Sequence, residues 1–229
     1  MDGASALDLI LSGDRALIGI VRLSLMVTLS ATVLAAVVGM PLGAAVALAR
    51  FRGRDAVIVA LNSLMGLPPV VVGLIVFLSL SRSGPLGPMG LLFTPAAMII
   101  AQSVLIAPII AALTRQVVED LWAEYRDELT AMEIGPLTRV SALLWDARFS
   151  LVTILLAGFG RAAAEVGAVM IVGGNIEGFT RTMTTTIALE TSKGNLALAI
   201  GLGIVLIALT TAVNALAWGI RQWAERHVG

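Results

Sequence analysis

Cysteine is absent from the 229-residue chain, and histidine and lysine occur once each, as His227 and Lys193. Without thiols there is no disulfide framework and no thiolate metal site. One imidazole without companions, in a C-terminal tail, holds no metal either. A Walker A loop needs a lysine in a Gly-Lys-Ser/Thr context to reach the phosphates. Lys193 sits in Ser192-Lys193-Gly194, so the chain carries no ordinary ATP site of its own. Charge is sparse, at 13% of residues, and 15 bases balance 15 acids. A net charge of zero gives no electrostatic case for a nucleic-acid partner. The segment Met1 to Asp14 holds Asp2, Asp8 and Asp14 and no base, the wrong charge for the start of a cleaved signal peptide. No metal cluster and no nucleophile–base pair is recognisable, so no catalytic residue and no cofactor is expected.

What is present is apolar. Hydrophobic residues make up 58% of the chain, and the mean hydropathy is +0.97. A soluble domain of this size would need a mostly polar outer face. Five runs are long enough to cross a hydrocarbon core of about 30 Å as helices. They are Leu23 to Leu48, Ala56 to Leu80, Gly90 to Leu113, Phe149 to Val172 and Leu196 to Ile220. The runs lack the period-two alternation of barrel strands. Leu7 to Ile20 is interrupted by Ser12, Gly13, Asp14 and Arg15, and reads as an interfacial helix, with a sixth span as the alternative. The fold class is therefore all-α, a polytopic membrane bundle, with residues 1–229 as one transmembrane domain in contact with lipid.

Arginine placement sets an orientation. Arg50, Arg52 and Arg54 follow the first run, Arg115, Arg126, Arg139 and Arg148 lie between the third and fourth, and Arg221 and Arg226 follow the fifth. The other side holds Arg15, Arg82, Arg181 and Lys193, while Arg22 opens the first run and snorkels to the interface. Excess Lys/Arg marks the cytoplasmic side. This predicts an outside N-terminus and a cytoplasmic C-terminus, with the parity that five spans require.

The longest polar stretch, 115–148, then faces the cytoplasm. Its centre reads Glu128-Leu-Thr-Ala131-Met-Glu-Ile-Gly135-Pro136. Gly135 is expected to end one helix and Pro136 to begin another. Such a helix pair can dock on another subunit or serve as a solvated connector. Inside the fourth run, Arg161 and Glu165 lie four residues apart. Ionisable groups at membrane depth pair or face water, so this is either a pathway or gate element or a structural ion pair. Arg before Glu is the weaker order within a helix, which leaves room for partners on another helix. Pro68 and Pro69 lack backbone donors and distort the second run; the freed carbonyls face a pathway or find hydroxyls such as Ser63. Gly39-Met-Pro-Leu-Gly43 is a small-xxx-small pattern suited to close helix contact, within the chain or across a dimer. Thr184, Thr185 and Thr186 offer hydroxyls to an oxyanion near an outer mouth, or form a polar helix surface.

Several of these segments resemble a known family. Bacterial ABC importer permeases carry a cytoplasmic loop of the form E-A-A, three residues, G, between the same two spans. Ala131 stands at the second alanine and Gly135 at the glycine; Thr130 replaces the first alanine, and Leu129 stands where the glutamate belongs, with Glu128 one residue early. Leu67-Pro-Pro-Val-Val-Val-Gly73 is similar to the proline-rich segment of molybdate, sulfate and tungstate permeases. Phe159-Gly-Arg-Ala-Ala-Ala-Glu165-Val-Gly167, followed by Gly173-Gly174-Asn175, resembles their fourth-span signature, and its continuation is most similar to tungstate permeases. The resemblance implies a type I importer permease fold. It further implies a homodimer of two permease copies, two cytoplasmic ATP-binding ABC subunits on the coupling loops, and an external oxyanion-binding protein. The coupling set would be Glu128, Ala131, Gly135 and Pro136; the pathway or gate candidates would be Arg161, Glu165, Pro68 and Pro69. A stand-alone secondary transporter or channel is the competing class, and the long loop with its Gly-Pro break separates the two.

Overall fold

The computed structural model describes residues 15–228, and every regular element within them is helical. The long helices are α1 (Arg15–Leu48), α4 (Pro95–Ala131) and α9 (Leu196–Val228). Shorter ones are α2 (Arg54–Met65), α3 (Pro69–Leu80), α5 (Pro136–Asp146), α6 (Arg148–Ala163), α7 (Gly167–Gly173) and α8 (Met183–Ser192). The part of the expected interfacial helix before Arg15 lies outside the described residues; from Arg15 the chain is already in α1.

Three of the five expected spans are single helices that are long and apolar enough to cross a membrane, over Leu17–Leu48, Pro95–Ala131 and Leu196–Ile220. The other two are not continuous. The run 56–80 is broken between α2 and α3 with a bend of 101°, because Pro68 and Pro69 cannot donate to a continuing helix. The run 149–172 is divided between α6 and α7 by three non-helical residues, 164–166. At 1.5 Å per residue, the 16 residues of α6 span about 24 Å, less than a hydrocarbon core. The third span begins at Pro95, not Gly90, since Gly90 is left-handed (φ 62°) and Pro95 occupies a first-turn position. It then runs past Leu113 to Ala131, so half of the expected polar loop is one helix with the span. No glycine or proline stands between Ile109 and Ala131 to stop it.

The core forms around α4, which packs most extensively on α1. Val27, Ala31 and Ala35, at helical spacing, are fully or almost fully buried against Met98, Ala101, Ile106 and Ile110. The opposite face of α1 leaves Leu29, Val33 and Val37 exposed, as a lipid-facing helix does. Close approach comes from the Gly39/Gly43 pair. A Cβ at Gly39 would lie 2.9 Å from the Ala107 carbonyl oxygen, and one at Gly43 only 2.3 Å from that of Ala111. The small-xxx-small pattern thus packs within the chain. In an apolar solvent this contact is held by dispersion between backbones.

One charged cluster fastens the ends of α1 and α2 to α4. Gly53 (φ 92°) makes the turn that returns the chain, a conformation that favours glycine. Arg54 then reaches back, donating from Nε to the Val46 carbonyl (3.0 Å) and from Nη2 to that of Ala47 (3.3 Å). These are carbonyls that the end of α1 leaves without helical partners. Glu119 on α4 pairs with both Arg54 and Arg115.

Gly43→Ala is expected to lower thermal stability in detergent by about 1–3 kcal/mol through overpacking against α4. Gly203→Ala, where nothing lies within 4 Å of the added carbon, is expected to be neutral or slightly stabilising. Equal melting of the two variants would show that the α1–α4 contact is looser than described.

Candidate functional site

The break between α6 and α7 is built around one carboxylate. Glu165 lies in the non-helical link, and its residue is 3% exposed. One oxygen, Oε1, accepts from the Ala168 backbone N–H at 3.0 Å, within the first turn of α7. The other, Oε2, accepts from Arg161 Nη1 at 2.8 Å. Among the described residues, Arg161 and Glu165 therefore pair with each other. The unfavourable residue order does not apply, because the helix ends at Ala163 and the carboxylate is free to turn back. The backbone groups there are satisfied partly by local bonds, the Glu165 N–H donating to the Ala162 carbonyl at 3.1 Å, and partly from neighbouring elements. Gln102 Nε2 donates to the Ala162 carbonyl (3.1 Å), and Thr184 Oγ1 donates to that of Glu165 (2.8 Å).

The second break meets the first. Pro68 is extended (φ −64°, ψ 122°), Pro69 opens α3, and the amides of Val71 and Val72 both donate to the Pro68 carbonyl. Ser63 does not serve the freed carbonyls, since its hydroxyl donates to Val59 within α2. α3 lies on α7: a Cβ at Gly73 would be 2.7 Å from the Ala168 Cα, and one at Gly167 would be 3.0 Å from Val70 Cγ2. The fold thus brings Pro69, Glu165 and Arg161 into one neighbourhood, with the Arg161 side chain 33% exposed.

Hydroxyls line the interior beside these breaks. Thr185 and Thr186 are almost fully buried and Thr184 is half-buried, so the run does not form an exposed polar surface. Thr182 and Thr185 form a reciprocal capping box at the start of α8, and Thr186 Oγ1 donates to the Thr182 carbonyl at 2.6 Å. Ser24 on α1 accepts from the Met183 amide at 2.8 Å and ties α8 to the bundle. Ser24, Thr28, Gln102, Thr182 and Thr184 surround a cavity of about 20 Å³, room for one water molecule. Gln102 Oε1 has no protein partner there. Ser24 and Gln102 carried no sequence signal, because isolated polar residues in apolar runs have no diagnostic spacing; Thr182 falls in the segment that continues the tungstate-permease resemblance.

The other predicted group sits apart, beyond about 24 Å of α6 helix. Ala131 is the last residue of α4, and exposed Glu128 accepts from the Met132 amide through its carbonyl. The left-handed residue of the turn is Glu133 (φ 52°), not Gly135. Gly135 is extended (φ −66°, ψ 160°) and flanks α5, with Pro136 at its first turn. The expectation that Gly135 ends the first helix is therefore corrected: glycine is not required for the turn, and a Cβ there would meet nothing within 4 Å. Met132 (68%) and Leu137 (85%) stand exposed at this corner.

Comparison with known proteins bears on what these two regions do. A protein of Haloferax volcanii named probable anion ABC transporter permease protein is 45% identical over 206 residues, covering 87% of this chain and 88% of the relative. The tungstate uptake system permease protein TupB of Peptoclostridium acidaminophilum is 40% identical over 218 residues, covering 95% and 96%. The chain belongs to the ABC transporter permeases. A TupB of Campylobacter jejuni is 35% identical over 209 residues, covering 91% of this permease and 87% of the relative. No family model matches the sequence. As a permease subunit, the chain is a multi-pass membrane protein and not itself the component that hydrolyses ATP.

Two outcomes follow for this permease. Arg161→Ala leaves a buried carboxylate without its cation, a loss of up to about 3–5 kcal/mol. Glu165→Gln leaves a partly exposed guanidinium that reaches water and keeps an acceptor for Ala168. Thermal unfolding is expected to rank Arg161→Ala below Glu165→Gln; the reverse order would show that the capping bond, not the ion pair, dominates.

The second concerns Glu190, buried near the end of α8, between the fourth and fifth apolar runs. The hydrogen bond from Lys193 Nζ (2.8 Å), and then that from Asn195 Nδ2 (3.0 Å), hold its carboxyl below the usual carboxylate range, against the opposing effect of burial. A lowered folded-state pKa means stability that is present above the ordinary carboxylate pKa and lost as pH falls through the lowered value. Glu190→Gln is expected to remove that part of the acid limb of a stability–pH curve. An unchanged acid limb would exclude Glu190 as a contributor.

Proposed function

We propose that two copies of this permease form the membrane pathway of an ATP-driven importer for a tetrahedral oxyanion, tungstate first, then molybdate or sulfate. The observation that carries the reading is the α4–α5 corner. Met132 and Leu137 are large apolar residues held out at the end of a helix that leaves the bundle, in a chain of the ABC permease family. An exposed apolar pair on a rigid helix end suits docking in a cleft of a protein partner. Glu128, Ala131, Gly135 and Pro136 frame that corner, and two cytoplasmic ATP-binding subunits would take it up. The arginine distribution supports an outside N-terminus and a cytoplasmic C-terminus.

The names of the relatives from Peptoclostridium acidaminophilum and Campylobacter jejuni support tungstate. The pathway would run by the paired breaks at Pro68–Pro69 and Arg161–Glu165. Glu165 offsets the charge of Arg161, so the field offered to an anion is weak, as a conduit that must release its ion requires. Selection among oxyanions would rest with an external binding protein.

Leu137→Asp is expected to reduce co-purification of the ATPase at least tenfold without changing the melting temperature. Undiminished co-purification would overturn the docking assignment. Gly135→Trp is accommodated by the open space around the residue, so loss of transport-coupled hydrolysis in that variant would report contact with the partner and not misfolding. A reporter fused after Gly229 is expected to be active only in the cytoplasm; periplasmic activity would reverse the orientation.

A further inference from the structure

We propose that the groove between the end of α1 and the last third of α4 binds the phosphate of an anionic phospholipid headgroup. α1 ends at Leu48, and exposed Arg50, Phe51 and Arg52 follow it. Across the groove, α4 presents Trp122 and Arg126, while Arg54 and Glu119 form its floor. The single negative charge of Glu119 is already shared between Arg54 and Arg115. Among the described residues Arg126 forms an ion pair with Asp127 alone, at 3.6 Å, and the Asp127 side chain is 97% exposed, so that pair is solvated and weak. Arg50 takes part in no ion pair among the described residues. The groove is therefore left with Arg50 unpaired among the described residues and Arg126 only weakly paired, two guanidinium groups whose planar forks match phosphate oxygens. Arg115, buried and bonded to Glu119, keeps an Nε without a partner.

The level of the groove favours a lipid over a protein. It begins where the apolar run of α1 stops, Trp122 lines it, and exposed Phe51 follows Arg50 in the chain, aromatic rings suited to the membrane–water boundary. The exposed corner that suits a protein partner lies further out along α4, at Ala131, about 8 Å beyond Arg126. Basic side chains that cluster at the end of a spanning helix attract anionic headgroups, each strengthening binding about fivefold.

The test uses the purified full-length chain in dodecyl maltoside, with phosphatidylglycerol or phosphatidylethanolamine added and retained lipid counted by native mass spectrometry. Arg50→Gln/Arg126→Gln is expected to reduce retained phosphatidylglycerol roughly 25-fold, and to leave phosphatidylethanolamine and the melting temperature unchanged. The single variant Arg50→Gln should show about fivefold, a readout that stands if the double variant purifies poorly. Arg82→Gln, from the other end of the bundle, should show no loss. Equal retention by the wild type and the double variant, or an equal loss with Arg82→Gln, would overturn the site. Displacement of phosphatidylglycerol by millimolar inorganic phosphate would also overturn it, showing a free-anion site in place of a lipid one. The readout needs no ATPase, binding protein or transported anion, so its failure is distinct from failure of the proposed function.

Discussion

In the apolar interior of this bundle, backbone donors and acceptors freed at a helix break have no water to turn to. Around residues 162–166 they are taken up by local backbone bonds and by side chains from other parts of the chain. Gln102 from α4 and Thr184 from α8 donate to the freed carbonyls, while the Glu165 carboxylate caps α7. At 3% exposure both carboxylate oxygens are paired, one with the Ala168 N–H and the other with Arg161. Satisfying one break therefore fixes the relative positions of α4, α6, α7 and α8. It also sets the surface that Gly73 of α3 meets, so the second break is positioned by the first.

The long helices provide the frame for these breaks. Gly39 and Gly43 let α1 lie close enough for backbone contact with α4, and the Arg54–Glu119–Arg115 cluster fastens the same pair at one end. α4 touches α1, α2, α3, α5, α6 and α7, and continues unbroken to the exposed corner at Ala131. A partner that displaced the corner would thus act on a stiff element packed against both helix breaks. This is a mechanical connection between the two candidate sites, which are far apart in space and share no side-chain contact.

Local sequence determined the membrane environment, the all-helical class and the family. Each depends on properties summed over long runs or on short ordered motifs, and neither requires knowledge of who packs against whom. Pro68–Pro69 and Gly135–Pro136 were readable as discontinuities because proline cannot donate to a helix. The family motifs also located the Arg161–Glu165 segment and the α4–α5 corner before any contact was known.

Only the tertiary structure decided how those discontinuities are used. Within residues 149–172 the charged pair Arg161 and Glu165 was legible, but not that the helix stops at Ala163, where Gln102 and Thr184 arrive from 60 and 19 residues away to bond the carbonyls of Ala162 and Glu165. The left-handed turn falls on Glu133, although a glycine stands two residues later. The three consecutive threonines look like a polar surface, yet their hydroxyls are drawn inward by the capping box and by Glu165. Likewise Gly39 and Gly43 could have faced a second copy, and it is the run of α4 beside them that makes the contact internal. Composition and spacing select the solvent and the helix lengths, because those are properties of a segment by itself. Which break is satisfied, and by whom, is a property of pairs distant in the chain, and the sequence of neither partner contains it.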